Sequence, residues 1–302
     1  MKEYRKIRLS DKRQSWLGKR NTVLHSKPLF YNASLQQKYY SSLYKLFKNL
    51  MEETQLNVEK LFNRREGKQF FKTQQKLAQD AADSKDRVFS VLAKELLDKL
   101  TKKFNRLFDN AALPLAEAMW KHSTTASAAA LSNSLKKLTG GVTLQTSIVS
   151  KGLKTIAEAA IAENVALIKT IPRQYLAKIE GAVMRSITTS NGLQYLIPKI
   201  AKYSKQTKRQ IQNTAYDQTR KAYNSINKQR MMSAGVNKFI WRHSGGGQKP
   251  RQDHIKMDGK VYSFDKLPVI DRSTGERGIP GQAINCGCTM EPCIEFENGE
   301  KI

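Results

Sequence analysis

Aromatic residues, acidic residues and long apolar runs are all scarce in this 302-residue sequence. Aromatic residues make up 8% and hydrophobic residues 39% of the chain, which is a lean supply for a core of this size. The longest apolar-looking stretch, Ala157 to Ile171, contains Glu158, Glu163 and Lys169. A membrane span needs roughly 18 uncharged residues, so we expect none. The basic N-terminus has no apolar segment after it, so we expect no secretory signal and synthesis in the cytoplasm.

Recognisable catalytic motifs are also missing. The sequence has no H-E-x-x-H, no G-x-S-x-G and no Walker phosphate loop, and its triple-glycine run lacks the strand, helix and lysine context that such a loop requires. We therefore expect no enzymatic activity. Two alternatives stay open: a metal-dependent hydrolase or nuclease built around His254, and a non-structural nucleic-acid-binding or toxin-like protein whose own activity lies in residues 1–141.

The positive charge is confined to one part of the chain. There are 53 Lys and Arg against 26 Asp and Glu, a formal net charge of +27. The segment 241–302 contains nine basic and nine acidic side chains, so the whole excess belongs to residues 1–240. The same C-terminal segment contains nine of the 17 glycines and all three cysteines. This change in composition predicts a domain boundary near residue 240.

Residues before this boundary have the periodicity of amphipathic helices. From Val88 to Phe108, an apolar side chain recurs about every four residues with lysines and arginines between. Ser34 to Gln37 has the form of a capping box that opens a helix. Because proline interrupts helices, Pro114 predicts an end or restart, and Gly140-Gly141 predicts a break. The pattern predicts further helices at about 144–171, from after Pro172 to 189, and at about 198–232.

The C-terminal segment, 241–302, is predicted to form a small, loop-rich module. Gly and Pro turns separate short apolar segments there, and a core of this size needs a staple or a partner. The predicted fold class is thus mainly α, with long amphipathic basic helices and a small C-terminal α+β, loop-rich Cys/His module. The predicted regions are a basic N-terminal arm, a helical assembly region, a second helical region and the C-terminal module, at residues 1–30, 31–141, 142–240 and 241–302.

Four side chains in the module are candidate metal ligands: His243, His254, Cys286 and Cys288, with Cys293 as a spare. Thiolate and imidazole groups together favour zinc, and structural zinc sites use four protein ligands. The spacing is unusual, because Cys-x-Cys is tighter than Cys-x-x-Cys and the histidines are far apart. The alternative is a packed core in which His254 bonds a carbonyl or Asp258. A disulfide is less favoured in a cytosolic chain.

Residues 199–232 are the most basic segment, with nine basic residues and one acid, Asp217. On a helix, Lys202, Lys205 and Arg209 share nearly one face, which suits a phosphate backbone. An ordinary solvated helix face, RNA or an acidic protein are the alternatives. Given the net charge, we predict sequence-independent contact with double-stranded DNA. The predicted DNA-binding residues are Lys199, Lys202, Lys205, Lys208, Arg209, Arg220 and Lys221.

The C-terminal motifs follow a recognisable order: Trp241-Arg242-His243, Arg251-x-x-His254, an apolar residue before Asp258-Gly259, Pro280-Gly281, and Asn285-Cys286-x-Cys288. This order resembles the signature of the phage Mu protein F-like head morphogenesis family. Residues 163–172 and 219–224 are similar to helical motifs of the same family, so the resemblance covers about residues 144–292. Gly287 departs from the family's usual arginine between the cysteines, and Gln218 replaces its usual acidic residue.

The resemblance implies a phage minor capsid or head morphogenesis protein at the portal vertex. Its expected place is the virion, in the capsid interior or at the portal, after synthesis in the host cytoplasm. The implied partners are the portal protein, other capsid proteins, packaged DNA and further copies of the chain, with a role in DNA packaging or delivery. In the family signature, the R-x-x-H and Cys-x-Cys motifs occur together although they are separated in sequence. The resemblance therefore favours structural zinc on His254, Cys286 and Cys288. It favours His243 over Cys293 as fourth ligand, because Cys293 lies outside the family pattern.

Overall fold

The computed structural model describes residues 22–76, 85–138, 151–245 and 250–296, and contains six helices and six strands within them. The helices are α1 (Ala33–Asn63), α2 (Arg65–Lys76), α3 (Lys85–Leu138), α4 (Lys151–Thr188), α5 (Gly192–Ser233) and α6 (Gln252–Met257). The strands are β1 (Thr22–His25), β2 (Lys238–Arg242), β3 (Val261–Ser263), β4 (Val269–Asp271), β5 (Glu276–Arg277) and β6 (Thr289–Phe296). The predicted mainly α class with a small C-terminal α+β part is confirmed. Among these helices, none combines the length and the apolarity needed to cross a membrane.

Helix α1 begins slightly before the predicted capping box. The side-chain oxygen of Asn32 accepts a hydrogen bond from the backbone N–H of Ser34 at 2.9 Å, and its carbonyl accepts one from Leu35 at 3.1 Å. Asparagine is among the best N-cap residues because it satisfies a free N–H of the first turn. Asn32 is therefore the cap, and Ser34 lies inside the helix.

Three prolines lie inside helices, and the boundaries predicted at them were wrong. Pro114 lies in α3, Pro172 in α4 and Pro198 in α5. At the first of these, Pro114 and the residue four before it, Asn110, are exposed. Water can therefore satisfy the carbonyl that loses its helical donor, while Ala112 and Ala116 stay buried on the other face. The predicted break at 140–141 and the start of the helix predicted from residue 144 lie outside the described residues.

The chain forms two compact units. One, here called the helical unit, comprises residues 38–116 and 162–214. In its core, the rings of Phe47 and Tyr175 meet edge to face at 5.1 Å, and the Tyr175 hydroxyl bonds the Ser204 hydroxyl at 3.0 Å. Tyr39 donates to the buried Asn164 side chain at 2.9 Å. A second aromatic cluster is formed by Phe62, Phe70, Phe71 and Phe89.

The other unit, here called the sheet unit, comprises residues 1–37, 117–161 and 215–302. Its four-stranded sheet has the order β1-β6-β2-β3 and is antiparallel throughout, and β4 pairs with β5 separately. The edge strand β1 comes from the region predicted as an N-terminal arm. The sheet packs in a core that also takes residues from α3 and α5, namely Leu131, Leu135, Tyr223 and Met231.

One buried carboxylate joins three strands of this sheet. Glu291 on β6 is only 2% exposed, and its two oxygens contact the Nδ1 atom of His25 on β1 and the Nε atom of Arg242 on β2, each at 2.5 Å. A buried charge is tolerated when it is paired in this way. The Glu291 side chain therefore holds β1 and β2 on either side of β6.

Gly67, in the first turn of α2, offers a test of packing in the helical unit. A Cβ atom there would lie 2.6 Å from the carbonyl oxygen of Phe62 and 2.9 Å from that of Leu61. Because helix backbone cannot yield as a side chain can, we expect Gly67→Ala to lower the free energy of unfolding by about 2 kcal/mol. The control is Gly181→Ala in α4, where no atom lies within 4 Å of the added Cβ.

The control variant should be stabilised by up to about 1 kcal/mol, because alanine favours helix over glycine. Urea unfolding followed by circular dichroism measures both variants. Equal stability of the two variants would contradict the close packing of α2 against the end of α1.

Candidate metal centre and basic surface

Two segments of the sheet unit bring three candidate ligands together. Helix α6 presents His254, and the loop before β6 presents Cys286 and Cys288. All three side chains are buried, and their ligand atoms lie within 4.8 Å of one another. We call these three residues the ligand cluster. Its histidine and its cysteines come from separate parts of the sequence, with β3, β4 and β5 between them.

The distances in the ligand cluster fit a tetrahedral metal site. The Nδ1 atom of His254 lies 3.4 Å from the sulfur of Cys286 and 3.7 Å from that of Cys288. Zinc bound to sulfur at about 2.3 Å and nitrogen at about 2.0 Å, with tetrahedral angles, places those two ligand atoms roughly 3.6 Å apart. Both cysteines are free thiols. The cluster therefore has a donor set and spacing that zinc accepts.

The His254 ring nitrogen that faces away from the sulfurs makes a hydrogen bond to a backbone carbonyl, as is usual for metal-binding histidines. This nitrogen, Nε2, donates to the carbonyl oxygen of Ile270 at 3.0 Å, which directs Nδ1 toward the sulfurs. The ring of Trp241 packs on His254 edge to face at 5.1 Å. Pairing with Cys286 and burial raise the pKa of the Cys288 thiol, and a smaller opposing effect comes from the buried indole N–H of Trp241. A thiolate bound to metal is an acceptor that suits this donor.

Proton sharing in the ligand cluster shifts the pKa values of the two thiols in opposite directions. A hydrogen bond from the Cys288 thiol lowers the pKa of Cys286 below its usual range, and His254 and the backbone N–H groups of Gly281 and Cys288 add to this effect. The same pairing with Cys286, together with burial, raises the pKa of Cys288. The hydrogen bond to Cys286 raises the pKa of His254. Metal binding would replace the shared protons, as thiolate and imidazole ligands require.

One face of α5 contacts the loop before β6 that carries Cys286 and Cys288, here called the cysteine loop. The Asp217 carboxylate accepts a hydrogen bond from the N–H of Asn285 at 2.6 Å, and burial raises the pKa of this carboxyl. Arg220 lies 3.9 Å from the centre of the Tyr216 ring and reaches the carbonyl of Cys286 at 3.5 Å. The i, i+3 spacing of Asp217 and Arg220 could have indicated from the sequence that both side chains lie on one face of the helix. The charge of Arg220 instead led to its prediction as a DNA-binding residue.

The glycines of this loop leave room for α5. A Cβ atom at Gly287 would lie 2.8 Å from the guanidinium of Arg220 and 2.6 Å from the hydroxyl of Ser244. Gly281 has a φ of 82° and lies against the Asn224 side chain, so a larger residue there is excluded on both grounds. The Thr219–Asn224 and Pro280–Cys288 motifs therefore meet in space.

The other two metal candidates lie outside the ligand cluster. The Nδ1 atom of His243 accepts a hydrogen bond from Gly245 at 3.1 Å, and its backbone N–H donates to Asp258 at 2.9 Å. Cys293 is buried within β6, where it pairs with His25 on one side and Lys238 on the other. The structure thus brings together three of the four predicted ligands.

The predicted DNA-binding residues fall in two places. Lys202, Lys205 and Arg209, here called the basic strip, are exposed on the part of α5 that belongs to the helical unit. Lys208 is exposed beside them, with its ammonium 5.0 Å from the centre of the Tyr44 ring, and half-buried Lys199 lies 5.2 Å from that of Tyr195. Arg220 and Lys221 lie further along α5, in the sheet unit, where Arg220 contacts the cysteine loop as described above.

Few acidic side chains lie close to the basic strip in the sequence. Residues 192–214 contain no Asp or Glu. A hydrogen bond of 2.9 Å between Gln210 and Gln174 joins this helix to α4, where Arg173 and Lys178 are also exposed. Among the ion pairs found in the described ranges, Glu180 is matched to Lys94 and Asp109 to Lys169. The helical unit therefore presents positive charge on adjacent exposed helices.

Comparison with known proteins agrees with the C-terminal motifs. Residues 177–291 match the family model of Phage Mu protein F like protein, and this range contains the whole ligand cluster. The chain is 28% identical over 177 residues to an uncharacterised protein of Haemophilus influenzae, covering 58% of this chain and 37% of that one. It is 34% identical over 71 residues to the uncharacterised protein YqbB of Bacillus subtilis, covering 21% of this chain and 23% of that one.

The chain thus spans well under half the length of these curated relatives. No solved structure matches it. The matched range includes the motifs that surround the two cysteines. Residues 177–291 of this chain are therefore similar to the Phage Mu protein F like family.

Proposed function

We propose that this chain is a minor capsid protein of a phage head, associated with the portal vertex, that contacts packaged DNA and assists its packaging or delivery. The match of residues 177–291 to this family supports a role in head morphogenesis. The observation that carries the DNA contact is the basic strip, three exposed cations on one helix face with no acid in residues 192–214. Packaged DNA presents a dense array of phosphates to such a surface.

The proposed assembly partners are the portal protein, other capsid proteins and further copies of the chain. Large apolar side chains are exposed in both units, including Leu56, Val91 and Leu113 in the helical unit and Phe30 and Ile284 in the sheet unit. Ile284 is 64% exposed although it directly precedes the loop that carries the ligand cluster. Exposed apolar side chains at several positions favour burial against neighbouring proteins in a particle.

The basic strip should provide the DNA contact. We expect a triple variant, Lys202→Glu, Lys205→Glu and Arg209→Glu, to weaken binding to duplex DNA at low salt. Each lost phosphate contact should reduce the slope of log affinity against log salt by about one, so the triple variant loses about three. Fluorescence anisotropy with a labelled duplex over a range of salt concentrations measures both effects. Lys208 is left unchanged because it packs on Tyr44.

The matched control is Lys99→Glu, Lys102→Glu and Arg106→Glu on α3. It makes the same change in charge at three positions of the same unit, but these positions alternate with Glu95, Asp98 and Asp109. The control should keep most of the affinity and of the salt slope. Equal losses in both triple variants would show that only total charge matters, and affinity independent of salt would refute the DNA contact.

We also propose that the ligand cluster holds a structural zinc ion. His254, Cys286 and Cys288 would bind it, and the ion would fix the cysteine loop to α6. The metal supplies cross-linking rather than chemistry in this role, since it joins segments that are distant in sequence. The carbonyl of Ile270 and the α5 contacts at Asn285 and Cys286 orient the ligands from outside.

A further inference from the structure

We infer that the described residues of the chain supply only three ligands to this zinc ion, and that the fourth position takes an exchangeable small anion from solvent. The inference rests on the proposed zinc site and concerns its coordination. A zinc site closed by protein uses four side chains, whereas three protein ligands leave one position open to an outside ligand. The question is therefore whether any fourth side chain of this chain is available.

The remaining histidines and cysteines are all accounted for. The sequence has four His and three Cys, and every one of them lies in the described ranges. His243 is turned to Gly245, His25 is bonded to Glu291, and Cys293 lies within the sheet. His122 lies on α3 and is exposed. In these ranges, only His254, Cys286 and Cys288 form a group with metal-ligand spacing.

The carboxylates of neighbouring segments are also engaged elsewhere. Asp253 pairs with Arg272 at 3.0 Å, and Asp258 accepts the N–H of His243. Asp217 accepts the N–H of Asn285, and Asp271 accepts hydrogen bonds from Ser273. None of these carboxylates belongs to the group of residues that has metal-ligand spacing.

The charge balance favours an anion at the open position. Zinc with two thiolates and a neutral imidazole carries no net charge. Two guanidinium groups flank the cysteine loop: Arg220 reaches the carbonyl of Cys286 at 3.5 Å, and Arg251 donates to that of Ile284 at 2.8 Å. The Asp217 carboxylate at Asn285 offsets one of these two positive charges, and the other favours an anionic ligand over a neutral one.

The test uses the full-length chain loaded with cobalt(II), whose visible ligand-field bands report its coordination sphere. Thiocyanate is titrated into the cobalt form as the probe anion. We expect the bands to shift saturably, with one thiocyanate bound for each cobalt ion. Two control variants, His243→Ala and Cys293→Ser, should retain one cobalt and the same response. Their metal affinity should change by less than the roughly tenfold loss seen when even an outer-shell partner is removed.

Two results would overturn the inference while leaving the zinc site intact. One is a cobalt spectrum that saturating thiocyanate does not alter. The other is loss of metal, or a changed spectrum, in His243→Ala or Cys293→Ser, which would identify that side chain as the fourth ligand. A chain that binds no cobalt or zinc at all, although its circular dichroism shows that it is folded, would instead refute the zinc proposal itself.

Discussion

Zinc should stabilise the sheet unit against unfolding by about 4 kcal/mol when its free concentration is a thousand times its dissociation constant. The physical reason is that the folded state brings His254 together with Cys286, which lies 32 residues away in the sequence, and with the neighbouring Cys288. Thermal unfolding followed by calorimetry, with and without a chelator, measures this difference. The protein should be purified under reducing conditions, because oxidised cysteines cannot bind the metal.

Cysteine variants separate metal binding from packing. Cys288→Ser should abolish the stabilisation by zinc, since serine is a poor zinc ligand of similar size. Cys293→Ser is the matched control: it alters a buried cysteine of the same strand region that lies outside the ligand cluster. It should keep the full response to zinc. If the chelator has no effect on the parent chain, or if both variants respond to zinc alike, the metal does not hold this unit together.

Replacing Arg242 with methionine should destabilise the sheet unit by about 3 kcal/mol, because it leaves the buried carboxylate of Glu291 without its main counter-charge. His25 would remain as a partner, but its side chain is 53% exposed and lies on the edge strand. Methionine keeps much of the aliphatic volume of arginine, so the loss reports charge rather than packing. Urea unfolding of the full chain, followed by circular dichroism and tryptophan fluorescence, gives the measurement.

The control for this prediction is Lys103→Met. Lys103 makes a close ion pair with Glu53 at 2.6 Å, but its side chain is 53% exposed. Exposed ion pairs contribute roughly 0.2–1 kcal/mol, so this variant should change stability little. If Arg242→Met costs no more than Lys103→Met, the Glu291 carboxylate is not buried as the structure shows.

The sequence was sufficient for the fold class but not for the helix boundaries. The period of apolar residues in α3 and α5 reflects local geometry and can be read directly. Whether Pro114 ends α3 depends on the solvent exposure of Asn110, four residues earlier, which is a property of the tertiary packing. The contribution of β1 to the sheet also depends on pairing with β6, which lies near the opposite end of the sequence.

The three residues of the ligand cluster were predictable from residue types and the family resemblance. The position of the predicted fourth ligand, His243, outside the cluster was not. Spacing alone could not unite His254 with Cys286 and Cys288, because the segments between them form strands and turns of their own. The contact between Arg220 and the cysteine loop could not be predicted from the sequence for a similar reason. The charge of Arg220 indicated DNA contact, whereas the absence of a side chain at Gly287 leaves the space that its guanidinium fills. The four predicted regions of the chain stay predictions, as do the portal and DNA contacts.

The location of the chain in an intact particle tests the proposed function most directly. Mass spectrometry of purified DNA-filled heads, together with cryo-electron microscopy without imposed icosahedral symmetry, gives its presence, copy number and position. We predict a small number of copies at the portal vertex, with the helical unit next to the packaged DNA. Absence of the chain from DNA-filled heads, or its even distribution over the capsid shell, would contradict the proposal.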